Sequence, residues 1–226
     1  IGLAASGNSS ITPSFTALNS GATPVVATIN VTPTYTNAGL SCSGTIKTFT
    51  ITVNPAAQIN SVSDITKCKG DSVNAIVFST ANTIGSTTYS WTNSNPTIGI
   101  GASGTGDIPT FTTLNSGTSP SIATIIVTPT FTYNGVSCTG TVEVFTITVN
   151  PVADMIQPVS KVVCNGETTS VNFATSNTGT TTYNWSSDIA IGMPLLSGSG
   201  SIPNFTAVNL GTTPIVATIT VTPTYT

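Results

Sequence analysis

The sequence predicts an all-β fold, and three observations support that prediction. The chain contains 46 threonines among its 226 residues and is rich in valine and isoleucine, and such β-branched residues fit the pleated surface of a sheet. No segment keeps a helical hydrophobic period over two turns. A frame of about 95 residues recurs with its aromatic residues in register, and that length suits one small all-β domain.

Short sequence blocks define this repeat because they return at nearly constant distances. The segment 125–129 (I-I-V-T-P) recurs as I-N-V-T-P at 29–33 and as I-T-V-T-P at 219–223. Spacings of 94 to 96 also relate Phe15, Phe111 and Phe205; Trp91 and Trp185; Cys42 and Cys138; and Cys68 and Cys164. A period of this length exceeds the roughly 20–50 residues of a solenoid turn. The chain is therefore predicted to be a slice of a tandem array of domains.

Asn-Pro steps at 54–55 and 150–151 mark the predicted domain boundaries, since proline cannot continue a strand ladder. We predict the second half of a repeat at residues 1–54, a complete repeat at 55–150, and a repeat without its last strand at 151–226. About seven short alternating strands with a tryptophan on a central strand are typical of an immunoglobulin-like sandwich. Each complete repeat is therefore expected to be one such sandwich.

The strands of the middle repeat follow from alternation of apolar and polar residues between turn signals. We predict strands at residues 58–65, 73–79, 87–92, 108–114, 122–133 and 141–149. A turn is expected at 68–71, and the glycine-rich stretch 101–106 is expected to be a flexible loop. The dipeptide Asn134-Gly135 predicts a hairpin turn, because both residues tolerate a positive φ. Alternate residues from Phe145 to Val149 share one face, so the closing strand should have one buried and one wet side.

Charged residues are scarce, at 5% of the chain against about 25% in a typical soluble domain. Four lysines and no arginine give a net charge of −3, so there is no basic patch for nucleic acid or for an anionic membrane surface. No apolar run approaches the ~20 residues of a membrane span. We predict no nucleic-acid partner and no membrane insertion in this segment.

The sequence contains no recognisable catalytic constellation. The chain has no histidine, so Ser-His-Asp and Cys-His arrangements cannot form. Asp107 corresponds to Ser201 in the third copy, and Glu143 corresponds to Lys47 in the first, so a carboxylate pair is not repeated. Asp107 and Asp188 could each give one oxygen to a structural calcium ion, but neither has an acidic neighbour. We predict that the chain is not an enzyme and that it holds no cofactor.

Four aromatic residues are predicted to pack in the core because they recur at strand positions: Trp91, Trp185, Phe111 and Phe205. The alternative for the tryptophans is a sugar-stacking platform shared with the neighbouring tyrosines. The position of Trp91 separates these interpretations. A buried ring favours a structural role, and an exposed ring favours binding.

The four cysteines occupy two repeating positions, without a C-x-x-C pair and without histidine to complete a metal site. This pattern favours structural disulfides and an oxidising, extracytoplasmic setting. Four cysteines allow three pairings. We predict a Cys68–Cys138 bond within the middle repeat, with partners for Cys42 and Cys164 outside the fragment. Bonds Cys42–Cys68 and Cys138–Cys164 are the alternative and would staple neighbouring repeats.

Several motifs together point to a known family. They are the segments 163–166 (V-C-N-G), 182–185 (T-Y-N-W), 108–111 (I-P-T-F), 123–129 (A-T-I-I-V-T-P), 138–140 (C-T-G) and 145–151 (F-T-I-T-V-N-P). Taken together they resemble the PKD-like repeats of giant surface proteins of Bacteroidota, closest to flavobacterial gliding-motility adhesins. The resemblance covers all three copies. It implies immunoglobulin-like sandwiches, export by the type IX secretion system, and that system and the gliding machinery as partners.

The residues and the resemblance lead to one functional expectation. We expect a non-enzymatic stalk segment of a very large cell-surface adhesin, outside the cell and attached to the outer membrane. It would extend a binding tip and support attachment or gliding. Asp71-Ser72-Val73 also resembles the O-glycosylation site of this phylum, which makes Ser72 a candidate acceptor. The alternatives are a multivalent polysaccharide-binding repeat and a self-assembling filament or sheath subunit.

Overall fold

A computed structural model describes residues 1–8 and 14–226 and confirms the all-β prediction, with 43% of residues in strands. The elements are β1 (Val25–Val31), β2 (Thr34–Asn37), β3 (Leu40–Ser43), β4 (Lys47–Val53), β5 (Ile65–Cys68), β6 (Ser72–Val73), β7 (Ser86–Asn93), a 3-10 turn (Pro96–Ile98), β8 (Ser103–Thr105), β9 (Phe111–Thr112), β10 (Ser121–Tyr133), β11 (Val136–Thr139), β12 (Glu143–Asn150), β13 (Thr168–Val171), β14 (Thr181–Ser187), β15 (Ser197–Ser199), β16 (Ile202–Thr206) and β17 (Ile219–Tyr225).

The largest sheet lies in the middle region and runs in the order β5-β12-β10-β7-β8, with β11 also paired to β10. Strand β10 is antiparallel to β7, β11 and β12, whereas β5 runs parallel to β12. A second, smaller layer consists of the β6-β9 pair and a bridge between Ile76 and Ile108. Residues of both layers share one apolar core, an arrangement compatible with a β-sandwich.

Alternation along β10 and β12 determines which side chains enter this core. Ile125 and Val127 are fully buried, and Ile126 between them is exposed. Phe145 and Ile147 are buried in the same way. The predicted hairpin turn is present, with φ of 49° at Asn134 and 74° at Gly135. The prediction of one wet and one buried face for the closing strand is therefore confirmed.

The flanking regions contain smaller sheets that keep the same register. In the first region β1 pairs with β4 and β2 with β3. In the third region β14 lies between β15 and β17, and β13 pairs with β16. Trp91 is paired with Val127, and Trp185 is paired with Val221, which lies 94 residues further along. The sequence period is thus also a period of the backbone pairing.

Three predicted strands are much shorter or displaced. The structure has β5 in place of a strand at 58–65, while 73–79 and 108–114 contribute only to β6, β9 and one bridge between Ile76 and Ile108. Side chains replace the ladder there, since the amide of Phe78 donates to Asp107 Oδ1 at 2.9 Å. The alternation of apolar and polar residues predicts strands in such segments. It does not show that a side-chain acceptor, and not a neighbouring strand, binds the backbone amide.

Candidate functional sites: core aromatics, carboxylates, cysteines and the junctions between copies

Both tryptophans lie in apolar cores, with 6% of Trp91 and 7% of Trp185 exposed. A Cβ atom added to Gly104 would lie 2.3 Å from Trp91 Cζ2, so the indole rests directly on the backbone of β8. Gly198 stands against Trp185 in the same way, at 2.8 Å. The stretch 101–106 is therefore partly a strand, β8, that provides a flat packing surface, which corrects the flexible-loop prediction. The joint recurrence of this glycine and the tryptophan was the available sequence signal.

Phe111 and Phe205 belong to the same two cores and are 8% and 7% exposed. Phe111 lies in the thin layer opposite Trp91, and Phe205 lies in β16. Neither pair of aromatic residues presents an open ring face. A sugar-stacking surface built from these rings is not formed, and the rings instead fill the space between the layers.

Each of the seven acidic side chains accepts a hydrogen bond from a backbone amide. The pairs are Asp64 with Thr146, Asp71 with Cys68, Asp107 with Phe78, Glu143 with Val62, Asp154 with Met155, Glu167 with Cys164, and Asp188 with Thr218. Ser201, which replaces Asp107 in the third copy, accepts from the amide of Phe173 at 3.1 Å. A serine hydroxyl can therefore replace this carboxylate as the acceptor of the backbone amide, which explains the Asp-to-Ser exchange.

The two candidate calcium ligands also serve the backbone. Asp107 Oδ1 lies 2.9 Å from the Phe78 amide, and Asp188 Oδ1 lies 2.7 Å from the Thr218 amide. Within residues 1–8 and 14–226, no three His, Cys, Asp or Glu side chains are grouped as a metal site would require.

The structure contradicts the Cys68–Cys138 bond. Cys68 is in register with Asn150 at one end of the large sheet, and Cys138 is in register with Phe131 at the other. Along the sheet, these two register positions are about eleven residues of extended strand apart, which is roughly 36 Å. The two Cα atoms of a disulfide lie only about 4.4–6.8 Å apart. Both thiols are free, as are Cys42 and Cys164, all within the described part of the chain. Sequence separation did not reveal that the two cysteines lie at opposite ends.

The Cys42–Cys68 and Cys138–Cys164 alternatives meet the same geometric obstacle. Cys42 pairs with Tyr35 just as Cys138 pairs with Phe131, so both lie at the hairpin end of their copy. Cys68 and Cys164 begin turns with equivalent hydrogen bonds at the opposite end. Each alternative would therefore have to span the length of two copies.

Ser72 lies in the two-residue strand β6 and is exposed, opposite Thr112. The neighbouring Asp71 carboxylate accepts the amide of Cys68 at 3.0 Å. The hydroxyl is thus accessible, and O-glycosylation at this position stays a prediction.

The first junction is built around the half-buried side chain of Asn82, which bonds to two copies at once. Its Oδ1 accepts the amide of Gln58 at 2.6 Å. Its Nδ2 donates to the carbonyl of Ala56 at 3.2 Å and to that of Ala22, in the preceding copy, at 3.4 Å. The backbone amide of Thr83 also donates to Ala22, at 3.0 Å. One amide group therefore fixes the linker and both of its neighbours.

The second junction repeats these contacts with different residues. Asn177 Oδ1 accepts the amide of Asp154 at 2.6 Å, and its Nδ2 donates to Val152 O at 3.1 Å and Thr118 O at 3.4 Å. The amide of Thr178 donates to the same Thr118 carbonyl, at 2.9 Å. We call Asn82 and Asn177, with these partners, the asparagine interlocks. Sequence reasoning missed them, although both side chains stand at one phase of the repeat.

A further contact joins the end of the first copy to the hairpin of the second. Asn54 Nδ2 donates to the carbonyls of Tyr133 and Val136, both at 3.1 Å. Pro55 is fully buried, and a Cβ on Gly140 would lie 1.7 Å from Ala57 O. The linker is thus packed against the hairpin end of the following copy and is not a free tether.

The outer face of the large sheet carries hydroxyl groups in place of charges. A hollow of about 570 Å³ on the sheet is lined by Thr87, Thr88, Tyr89, Ser90, Thr105, Gly106 and Thr130. Burial raises the pKa of the Tyr89 hydroxyl, with a hydrogen bond to Thr80 opposing and the Asp107 charge reinforcing this shift. The Tyr89 ring itself packs against the apolar core, with its centroid 5.5 Å from that of Phe78, so the hollow offers mainly hydroxyl groups to a ligand.

No protein-family model matches the chain, and no curated protein matches it. Among the described residues there is no helix of the length and apolar character needed to cross a membrane.

Proposed function

We propose that the chain is a stalk segment of a very large cell-surface adhesin, made of tandem immunoglobulin-like, PKD-like repeats. The observation that supports this most is the pair of asparagine interlocks, because the same contacts join consecutive copies at both junctions. A linker that is buried and bonded on both sides transmits orientation from one repeat to the next. Stacking such units extends a tip away from a surface, at roughly 40 Å for a 12-residue strand.

Two further features agree with a role that involves no catalysis. Each of the seven carboxylates accepts a hydrogen bond from a backbone amide, which is a structural use of these side chains. The tryptophans fill the cores, which was the condition that favours a stalk. In this proposal the segment lies outside the cell, attached to the outer membrane, with the type IX secretion and gliding machinery as partners of the whole protein.

A second candidate function is the binding of polysaccharide through many low-affinity sites, and one specific observation favours it. The hollow beside Tyr89 is lined by threonine and serine hydroxyls, which can exchange hydrogen bonds with sugar hydroxyls. Repetition of a weak site along an array would raise the overall avidity. The hydroxyl-lined outer faces also permit the third possibility, lateral assembly into a filament or sheath.

The test is to measure binding and assembly of the purified chain with one preparation. Glycan-array binding of the fluorescently labelled chain and sedimentation velocity at rising concentration together separate the three functions. The stalk predicts a monomer at all concentrations and no glycan signal above that of the Tyr89→Ala variant. Glycan binding that Tyr89→Ala abolishes would replace the stalk with the binding module. Concentration-dependent assembly would replace it with the filament subunit.

A further inference from the structure

The two cysteine positions of the repeat lie at the ends where copies meet. Cys138 lies in β11, on the hairpin whose Val136 carbonyl accepts Asn54 of the preceding copy. Cys68 ends β5, in register with Asn150, just before the step into the third copy. Cys138 therefore lies at the end of its copy that meets the preceding copy, which we call backward-facing. Cys68 lies at the end that meets the following copy, which we call forward-facing.

Cys68 and Cys164, which occupy one position of the repeat, are held by the same local structure in two copies. The amide of Cys68 donates to Asp71 Oδ2 at 3.0 Å, and that of Cys164 donates to Glu167 Oε2 at 2.7 Å. The return bonds from Asp71 N to Cys68 O and from Glu167 N to Cys164 O are both 3.1 Å. Four free thiols are thus presented by tight turns and hairpins and not by loose loops.

The contacts at the first junction bring the two kinds of position together. Asn54 is the counterpart of Asn150, the register partner of Cys68. A residue at the Cys68 phase of the first copy would therefore lie beside Asn54, one strand spacing of about 4.8 Å away. Asn54 itself bonds the hairpin that carries Cys138, through Tyr133 O and Val136 O at 3.1 Å. The forward-facing and backward-facing cysteines of consecutive copies therefore lie at the same junction, on its two sides.

We propose that the cysteine equivalent to Cys68 in each copy forms a disulfide with the cysteine equivalent to Cys138 in the following copy. Two S–H bonds break and one S–S bond forms, and a small-molecule disulfide such as oxidised glutathione takes the two electrons and two protons to become two thiols. This pairing explains the four free thiols. The partner of Cys68 would stand 94 residues after Cys138, past Thr226, and the partner of Cys138 would stand 96 residues before Cys68.

The first test uses the 226-residue chain in a glutathione redox buffer. Alkylation and mass spectrometry should count four free thiols, because no two of these cysteines face each other across a junction. An intramolecular bond between any two of the four would overturn the proposal.

The second test lengthens the chain by a copy of residues 133–150 placed after Thr226, which completes the third copy and adds a counterpart of Cys138. We expect one disulfide, between Cys68 and this added cysteine, located by non-reducing peptide mapping. Cys68→Ser should abolish it, whereas the matched variant Cys164→Ser, one copy further along, should leave it intact. Five free thiols, or a bond from the added cysteine to Cys164, would overturn the proposal.

This inference rests on the end-to-end docking of the proposed stalk, and the two can fail separately. If the lengthened chain keeps five free thiols while the spacing between copies stays fixed, the disulfide is wrong and the stalk stands. If the spacing is variable and the thiols stay free, both fail. Spin labels on Cys42 and Cys138 give the spacing independently of Cys68.

Discussion

The middle copy and its flanking copies share one sequence frame but bury it to different degrees. Phe145 in β12 is 2% exposed, whereas its counterpart Phe49 in β4 is 46% exposed. Val127 in β10 is fully buried, but Val221 in β17 is only half-buried. The middle region alone combines the closing strand β12 with the layer formed by β6 and β9. The hairpin therefore becomes core only when both halves of the frame pack together.

Truncating Phe145 and Phe49 to alanine should give the largest difference in stability between the copies. Phe145→Ala should lower the free energy of unfolding of the middle copy by about 3–5 kcal/mol, because it opens a cavity in a closed core. Denaturant titration followed by Trp91 fluorescence, in a Trp185→Phe background, isolates this copy. The matched control Phe49→Ala should cost less than about 1 kcal/mol, because that ring already contacts water. Equal losses would contradict the comparison.

The next largest effect concerns the tryptophan that lies on a glycine. Gly104→Ala should cost about 1–3 kcal/mol, since its new Cβ would lie 2.3 Å from Trp91 Cζ2 and the ring is enclosed. Gly101→Ala is the control, because its nearest neighbour, Ser103 O, lies 3.7 Å away. Trp91 emission during denaturation reports both variants, and the account fails if the control is the more damaging one.

A smaller, local effect is expected at the interlocks. Asn82→Ala removes the acceptor of the Gln58 amide, so exchange of that amide with deuterium should speed up by a few-fold to about tenfold. Asn60→Ala is the control, because the Asn60 side chain bonds Ser79 Oγ within the same copy at 2.9 Å. NMR-detected hydrogen exchange resolves the Gln58 signal. Unchanged exchange in Asn82→Ala would mean that the interlock is not formed in solution.

The smallest effect is a pH dependence that arises from Tyr89. Burial raises the pKa of this hydroxyl above the usual 10.0, so the unfolded chain loses the proton first. The stabilisation is fully present below pH 10 and is lost as the pH rises from there through the folded-state pKa. Tyr89→Phe should flatten the decline in unfolding free energy measured between pH 9 and pH 11. A decline of unchanged slope in the variant would assign the effect elsewhere.

Much of the fold could be predicted from the sequence, for identifiable reasons. Strand β10, strand β12 and the turn at Asn134-Gly135 were predictable because alternation and turn chemistry are local properties. The strand at 73–79 was not, because the Asp107 carboxylate takes the Phe78 amide from a distant part of the chain. Local patterns carry no information about such a partner.

The candidate sites were less predictable than the fold. The cysteine pairing failed because spacing along the chain cannot show that Cys68 and Cys138 stand at opposite ends of one sheet. The interlocks at Asn82 and Asn177 were hidden because asparagine is common in this chain, and the T-x-N-T pattern that both share (80–83 and 175–178) does not reveal a partner in the preceding copy. Only the contacts across the junctions distinguish them.

The central claim is that consecutive copies dock in one fixed arrangement, and the spacing between two native cysteines tests it directly. Spin labels on Cys42 and Cys138, with Cys68→Ser and Cys164→Ser, mark equivalent points of two neighbouring copies. Pulsed electron paramagnetic resonance should give a single narrow distance distribution near one repeat length, roughly 40 Å. A broad distribution reaching from contact to full extension would contradict docked junctions and the stalk built from them.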